Sequence, residues 1–268
     1  MLNKKQVYIY LLSLLFLLII INGCGKKTES ISIAGSTAFQ PFAEKLAEEY
    51  MHKNLGVSIN VQGGGSSMGI RSAISGIANI GMADLVDLPP EARSLKQYVV
   101  ALDGIVIIVN PNNKIENLST DEIQKIFSGE ISKWQELGGE DKPINIISRE
   151  EGSGTRSSFE ALAMGDKHLS ERSIIQDSNG TVRENVAGDP NAIGYISYGL
   201  INDKIKVVKF NDIIPTHENL KNRTYKLIRP IFLLTKGEPE GLAKKYLDFV
   251  LSTEGQKILE KQGLIPAK

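Results

Sequence analysis

The sequence has little of the chemistry that metalloenzymes and redox proteins use. It contains one cysteine and three histidines among 268 residues. A lone cysteine cannot form an internal disulfide, and so few sulfur and imidazole groups provide no recognisable set of zinc or redox ligands. We therefore expect neither a metal nor a cofactor, and we expect stability to depend on an apolar core.

The sequence also lacks an excess of charge of either sign. Lys and Arg number 31, Asp and Glu number 31, and the formal net charge is zero. Because a nucleic-acid-binding protein usually carries a basic face, this balance argues against a nucleic-acid partner. If the protein binds an anion, its selectivity must come from local geometry.

The longest apolar run lies at the N-terminus. Lys4 and Lys5 precede an almost unbroken apolar stretch over 7–21, and Asn22-Gly23-Cys24 follows. A membrane span needs about 20 apolar residues, and this order of basic, apolar and small residues is typical of an export signal. The segment resembles a bacterial lipobox, which predicts cleavage before Cys24 and lipid on its thiol. The alternative is an uncleaved anchor with an incidental cysteine. Both interpretations place the rest of the chain outside the cytoplasm, tethered to a membrane.

Three predicted strands run through Gly-, Ser- and Thr-rich turns into helix starts. These turns are Gly35-Ser36-Thr37, the segment 63–67 and the segment 149–155. A helix start presents unpaired N–H groups and the positive end of the helix dipole, which attract an anion. One such turn is weak evidence. Three turns at the same edge of a parallel sheet predict an oxyanion site.

The alternation of strands and helices predicts an α/β fold with two mainly parallel sheets flanked by helices. We expect residues 1–23 to form a lipoprotein signal peptide and 24–30 a tether. A break at Pro111 and an apolar strand near Tyr225 then divide the chain into two lobes, 31–111 plus 224–268 and 112–223. Two crossings between lobes form a hinge and place a cleft at the strand C-terminal ends.

Two charged residues follow predicted strand ends and give this cleft its chemistry. Arg149 can present a guanidinium fork to an anion, whereas Asp84 can only accept hydrogen bonds. A carboxylate repels a neighbouring anion unless that anion carries a proton. Phosphate carries a proton near neutral pH and sulfate does not, so an acceptor at Asp84 selects phosphate.

Other functions remain open from the residues alone. One alternative is a receptor for sulfate, molybdate or tungstate, and another is a surface sensor or adhesin that binds phosphate without transport. The segment 65–69 also matches the loose G-x-S-x-G pattern of serine hydrolases, with Ser67 as nucleophile. Neither His168 nor His217 lies in a recognisable loop motif that would complete such a site.

With these residues assembled, the chain resembles the PstS family of substrate-binding proteins of bacterial phosphate ABC transporters. The resemblance covers residues 30–268 and rests on Gly35-Ser36-Thr37 with Pro41 and on the segments 63–67, 81–84, 149–155 and 191–196. It implies a two-lobed, type II periplasmic-binding-protein fold and no enzymatic activity. It also implies a lipid-anchored, monomeric receptor that delivers inorganic phosphate to permease subunits, which work with a cytoplasmic ATPase.

The resemblance implies which residues contact phosphate, namely Thr37, Ala38, Ser66, Asp84, Arg149, Ser153, Gly154 and Thr155. Gly154 contributes its backbone N–H, and Ala38 can contribute only an N–H where the family often adds a bulkier or hydroxyl side chain. From the residues alone, either Glu150 or Glu151 could pair with Arg149 and fix its orientation. The resemblance implies Glu151, which stands where some members have an aspartate that pairs with the arginine.

Overall fold

The computed structural model describes residues 28–267. The expected signal peptide, the lipidation site Cys24 and most of the tether lie outside the described residues. Within residues 28–267, no helix combines the length and the apolar character needed to cross a membrane.

Strands and helices alternate along the chain, as the apolar spacing predicts. The strands are β1 (Glu29–Gly35), β2 (Val57–Gly63), β3 (Ile80–Ala83), β4 (Lys96–Val109), β5 (Asn117–Leu118), β6 (Asn145–Arg149), β7 (Ile174–Gln176), β8 (Ala192–Ser197), β9 (Lys206–Val207), β10 (Lys209–Phe210), β11 (Ile228–Thr235) and β12 (Ile265–Pro266). The α-helices are α1 (Gln40–Lys53), α2 (Ser66–Ser75), α3 (Thr120–Ser128), α4 (Gly154–Phe159), α5 (Asn179–Gly188), α6 (His217–Lys221), α7 (Gly241–Leu251) and α8 (Thr253–Lys261). A π-helical turn, Glu160–Met164, continues α4.

The main sheet has parallel strands on its outside and antiparallel strands at its centre. Its strand order is β2-β1-β3-β11-β4-β8-β6-β7. β1 pairs in parallel with β2 and β3, and β6 pairs in parallel with β7 and β8. β11 is antiparallel to both β3 and β4, and β4 is antiparallel to β8.

Strand β4 belongs to both halves of this sheet. Residues 96–104 pair with β11, and residues 105–109 pair with β8. The first passage between the halves therefore runs inside β4, ahead of the break at Pro111 where the sequence placed it. The lobe bounds themselves, 31–111 plus 224–268 and 112–223, stay a prediction. We call the half built on β1, β2 and β3 lobe 1, and the half built on β6, β7 and β8 lobe 2.

Each lobe has its own apolar core. In lobe 1, Phe42 and Leu46 of α1 pack with the sheet and with Tyr246 of α7. In lobe 2, Phe159 and Tyr195 stack with ring centroids 4.0 Å apart. These cores hold the strands rigidly, so the turns that follow the strands have fixed positions.

Helix α2 lies so close to the sheet that only glycine fits at the point of contact. A Cβ placed on Gly35 at the end of β1 would lie 2.9 Å from the Cα of Gly69 in α2. Real Cβ atoms do not approach another carbon so closely, and the φ of +142° at Gly35 also favours glycine. This close contact brings Ser66, the first residue of α2, next to the ends of β1 and β3.

Candidate functional site

The three Gly-, Ser- and Thr-rich turns meet between the lobes. Nη2 of Arg149, in lobe 2, donates to Oγ1 of Thr37, in lobe 1, at 2.9 Å. The backbone N–H of Ser67 in lobe 1 donates to the carbonyl oxygen of Gly152 in lobe 2 at 3.1 Å. The turns after β1, β2 and β6 therefore line one site in the interlobe cleft.

Arg149 ends β6 and is 1% exposed. Its Nε and Nη2 donate to the Glu150 carboxylate at 2.9 and 2.8 Å, and to the carbonyl oxygens of Gln176 and Asp177 at 3.2 Å. Within the described residues, its Nη1 is buried without a hydrogen-bond partner. Since a buried guanidinium N–H without an acceptor costs free energy, Nη1 is suited to an anionic oxygen.

The carboxylate that orients Arg149 is Glu150, and the expectation that Glu151 does so was wrong. Glu150 forms an ion pair with Nη2 of Arg149 at 2.8 Å, and its side chain is 31% exposed. Glu151 is exposed to solvent. The physical reason is that β6 ends at Arg149, so Glu150 leaves the strand with its carboxylate beside Nε and Nη2 of Arg149, whereas the exposed turn begins at Glu151.

Asp84 follows β3 and is 1% exposed. Its Oδ1 accepts a hydrogen bond from Oγ of Ser66 at 2.5 Å, and its Oδ2 lies 3.5 Å from Oγ1 of Thr155. Ser66 belongs to lobe 1 and Thr155 to lobe 2. The carboxylate that the sequence identified as the acceptor therefore lies where the two lobes touch.

The other predicted ligand residues lie at the same junction. Ser153 is the N-cap of α4, and its Oγ accepts from the N–H of Arg156 at 3.3 Å. A Cβ placed on Gly154 would lie 2.6 Å from the carbonyl oxygen of Asp84. Ala38 is buried before the start of α1, and Thr37 is half-buried. The individual contacts of these residues with an anion stay a prediction.

Sequence reasoning missed a buried ionic cluster behind Asp84. Nη2 of Arg229 lies 2.7 Å from Oδ2 of Asp84 and 2.9 Å from Oδ2 of Asp103, and Arg229 is 0% exposed. Oγ of Ser197 donates to Oδ1 of Asp103 at 2.8 Å. Burial raises the pKa of Asp103, against the opposing effect of the Arg229 charge.

One signal in the sequence could have revealed this cluster. Asp103 stands inside an apolar stretch that becomes β4, and Arg229 stands inside another that becomes β11. A single charge in a buried strand requires a partner, and these two charges have opposite signs.

The serine proposed as a nucleophile has no partner of the kind a hydrolase uses. Within residues 28–267, no hydrogen bond joins Ser67 to His168 or His217. The backbone N–H of Ser67 donates to the carbonyl oxygen of Gly152.

Comparisons with known proteins agree with this architecture. A family model described as a PBP superfamily domain matches residues 23–254. Among solved structures, a putative phosphate ABC transporter substrate-binding protein from Clostridium perfringens, with bound phosphate, has a TM-score of 0.86 and 41% sequence identity, covering 90% of this chain and 100% of that one. An ABC-type phosphate transport receptor from Vibrio cholerae has a TM-score of 0.74 and 32% identity, covering 88% and 99%. The fold and the interlobe site thus define a two-lobed binding protein, which confirms the predicted fold.

A curated relative indicates the family within that class. The phosphate-binding protein PstS of Bacillus subtilis is 37% identical over 246 residues, which span 90% of this chain and 82% of that protein. The PstS of Borreliella burgdorferi is 30% identical over 252 residues, with coverages of 89% and 90%. This chain belongs to the PstS family of phosphate-binding proteins, as its sequence motifs predicted.

Proposed function

We propose that this protein binds inorganic phosphate between its lobes and delivers it to the permease of an ABC transporter. The observation that carries the proposal is the combination, in one buried site, of an unpartnered guanidinium N–H on Arg149 with the carboxylate of Asp84. The first group donates a hydrogen bond and suits an anionic oxygen, and the second accepts hydrogen bonds. A singly protonated phosphate satisfies both, because it is anionic and still donates a hydrogen bond.

Binding of this kind needs no covalent chemistry. The site replaces the hydration shell of the anion with fixed donors from Arg149, from hydroxyl groups and from the helix starts of both lobes. Because these donors come from both lobes, bound phosphate stabilises lobe closure, and closure presents a surface that a permease can recognise.

The experiment that tests the proposal is calorimetric titration of the chain from residue 25 onward, freed of bound anion, with phosphate and sulfate at pH 7. We expect heat from phosphate and none from sulfate. In the Asp84→Asn variant the side-chain amide can donate, so sulfate binding should appear. Asp87→Asn is a matched control, because Asp87 is exposed three residues away.

The outcomes separate the alternatives. Sulfate binding by the unchanged protein would remove the acceptor role of Asp84, and titration with molybdate and tungstate would then identify the cargo. A folded, ligand-free protein that gives no heat with phosphate would refute the proposal. We propose that the protein is not an enzyme. Labelling of Ser67 by a serine-reactive phosphonate would contradict this proposal and support a hydrolase.

We propose further that the protein is held outside the cytoplasm by lipid on Cys24 and acts as a monomer. The support is the basic, apolar and small-residue order of residues 4–24. Growth with an alkyne-labelled fatty acid should label the unchanged protein and leave Cys24→Ala unlabelled. Equal labelling of both proteins would refute the anchor, and sedimentation of the protein from residue 25 onward tests the monomer.

A further inference from the structure

Arg229 contacts Asp84 through two of its guanidinium nitrogens. Besides the 2.7 Å ion pair between Nη2 and Oδ2, Nη1 of Arg229 donates to the backbone carbonyl oxygen of Asp84 at 3.2 Å. Side chain and main chain of Asp84 are therefore both fixed by one guanidinium group. The orientation in which Asp84 meets the cleft depends on Arg229.

The charges around the site leave a deficit of positive charge. Within the described residues, Asp84 and Asp103 both form their ion pair with Arg229, whereas Arg149 forms one with Glu150. These ion pairs combine three carboxylates with two guanidinium groups. A further anion enters such a site favourably only where it can donate a proton to a carboxylate oxygen.

Arg229 is also the charged partner of Asp84. A carboxylate that is almost completely buried needs a counter-ion, and within the described residues the cation that forms an ion pair with Asp84 is Arg229. If that cation is removed, the side chain of Asp84 is no longer held in its orientation toward the cleft, and phosphate loses the acceptor for its proton. Sulfate makes no use of that acceptor, so the site would distinguish the two anions less.

We propose that Arg229, which lies outside the predicted contact set, is a specificity-determining positioning residue: it holds the side chain and the main chain of Asp84 in place, and thereby makes the site favour a protonated oxyanion. This inference rests on the proposed phosphate function. Asp103 has the opposite effect in the same cluster, because it draws part of the Arg229 charge away from Asp84.

Two substitutions of the same cluster should therefore have different effects. In Arg229→Gln, we expect the ratio of sulfate Kd to phosphate Kd to fall by about tenfold or more, since a hydrogen bond to a charged group is worth about that factor. In Asp103→Asn, Arg229 is left to Asp84 alone, so the ratio should not fall. Both variants disturb the buried cluster, so a merely structural role would affect them alike.

The measurement is calorimetric titration of phosphate and sulfate at pH 7 into the unchanged protein and both variants, with circular dichroism to establish folding. If Arg229→Gln does not fold, the double variant Arg229→Met, Asp103→Leu takes its place, because removing one charge of each sign leaves no unpaired partner between them. It should lower the ratio of sulfate Kd to phosphate Kd as well.

Each outcome has one meaning. A ratio of sulfate Kd to phosphate Kd that falls in Arg229→Gln and not in Asp103→Asn supports the inference. A folded Arg229→Gln with the ratio of the unchanged protein overturns it, and so does an equal fall in both variants. Failure of the unchanged protein to bind phosphate overturns the proposed function and this inference with it.

Discussion

Replacement of Gly154 by alanine should prevent the lobes from closing while leaving the fold intact. Gly154 is the first residue of α4 in lobe 2, and its missing side chain faces lobe 1. A Cβ at this position would lie 2.6 Å from the carbonyl oxygen of Asp84 and closer still to Oδ1 of Asp84 and Oγ of Ser66. The added methyl group keeps the backbone N–H of residue 154, so any loss of binding has a steric cause.

The atoms that the methyl group would meet cannot easily move. The carbonyl oxygen of Asp84 accepts from Nη1 of Arg229 and from Oγ of Ser158, both at 3.2 Å. Overpacking of a buried site costs about 1–3 kcal/mol, and three short contacts with fixed atoms favour the upper end of that range. A cost of about 3 kcal/mol corresponds to about 100-fold weaker phosphate binding.

The cost should fall on closure, because the open protein avoids the clash. We expect the free energy of unfolding without phosphate to stay near that of the unchanged protein. The decrease in the radius of gyration, measured by X-ray scattering, should be absent at the phosphate concentration that closes the unchanged protein. Gly188→Ala is the matched control, because Gly188 ends α5 and a Cβ there meets no atom within 4 Å. Phosphate affinity of Gly154→Ala equal to that of Gly188→Ala would refute the reasoning.

The remaining predictions concern the arginine and a buried tyrosine. Arg149→Ala should weaken phosphate binding at least about 30-fold in calorimetry, because it removes one partner of a buried, charge-assisted contact; unchanged affinity would take Arg149 out of the site. Glu150→Gln should lower the urea stability of the phosphate-free protein by about 1–3 kcal/mol, because it leaves the buried Arg149 charge without its counter-ion. Glu151→Gln is its control and should change stability by no more than about 0.5 kcal/mol. Burial raises the pKa of Tyr195 from 10.0 to about 12, so the folded protein retains this proton more strongly than the unfolded chain; the resulting stability is complete below pH 10 and is lost as pH rises toward 12. Tyr195→Phe should make the fall in stability over that range shallower, and an unchanged slope would contradict the assignment.

Much of the site could be predicted because its parts are local in sequence. Each of the turns after β1, β2 and β6 joins a strand end to a helix start through a few small residues. This pattern can be recognised in the sequence. The parallel pairing of β1 with β2 and β3 then brings lobe 1 turns to one edge. No long-range information was needed to expect their clustering.

The parts that sequence reasoning missed depend on pairing between distant segments. Arg229 pairs across the sheet with Asp103, 126 residues earlier, because β11 returns antiparallel to β4. Aspartate and arginine are common residue types, and it is the register of β4 and β11 that places Asp103 and Arg229 together behind Asp84. The prediction that Glu151 orients Arg149 was wrong for a more local reason, because it depended on the residue at which β6 ends.

The sharing of strand β4 has a consequence for how this chain folds. Residues 96–104 pair with β11 and residues 105–109 pair with β8, so loss of either half of the sheet strips hydrogen bonds from the same strand. Unfolding should therefore be one cooperative transition with no stable single-lobe intermediate. The sheet of lobe 1 also cannot be completed until residues 228–235 are present, and such distant pairing makes folding slow. A nascent chain thus keeps the edge of β3 unpaired, and remains prone to aggregation or proteolysis, until nearly all of it has been synthesised.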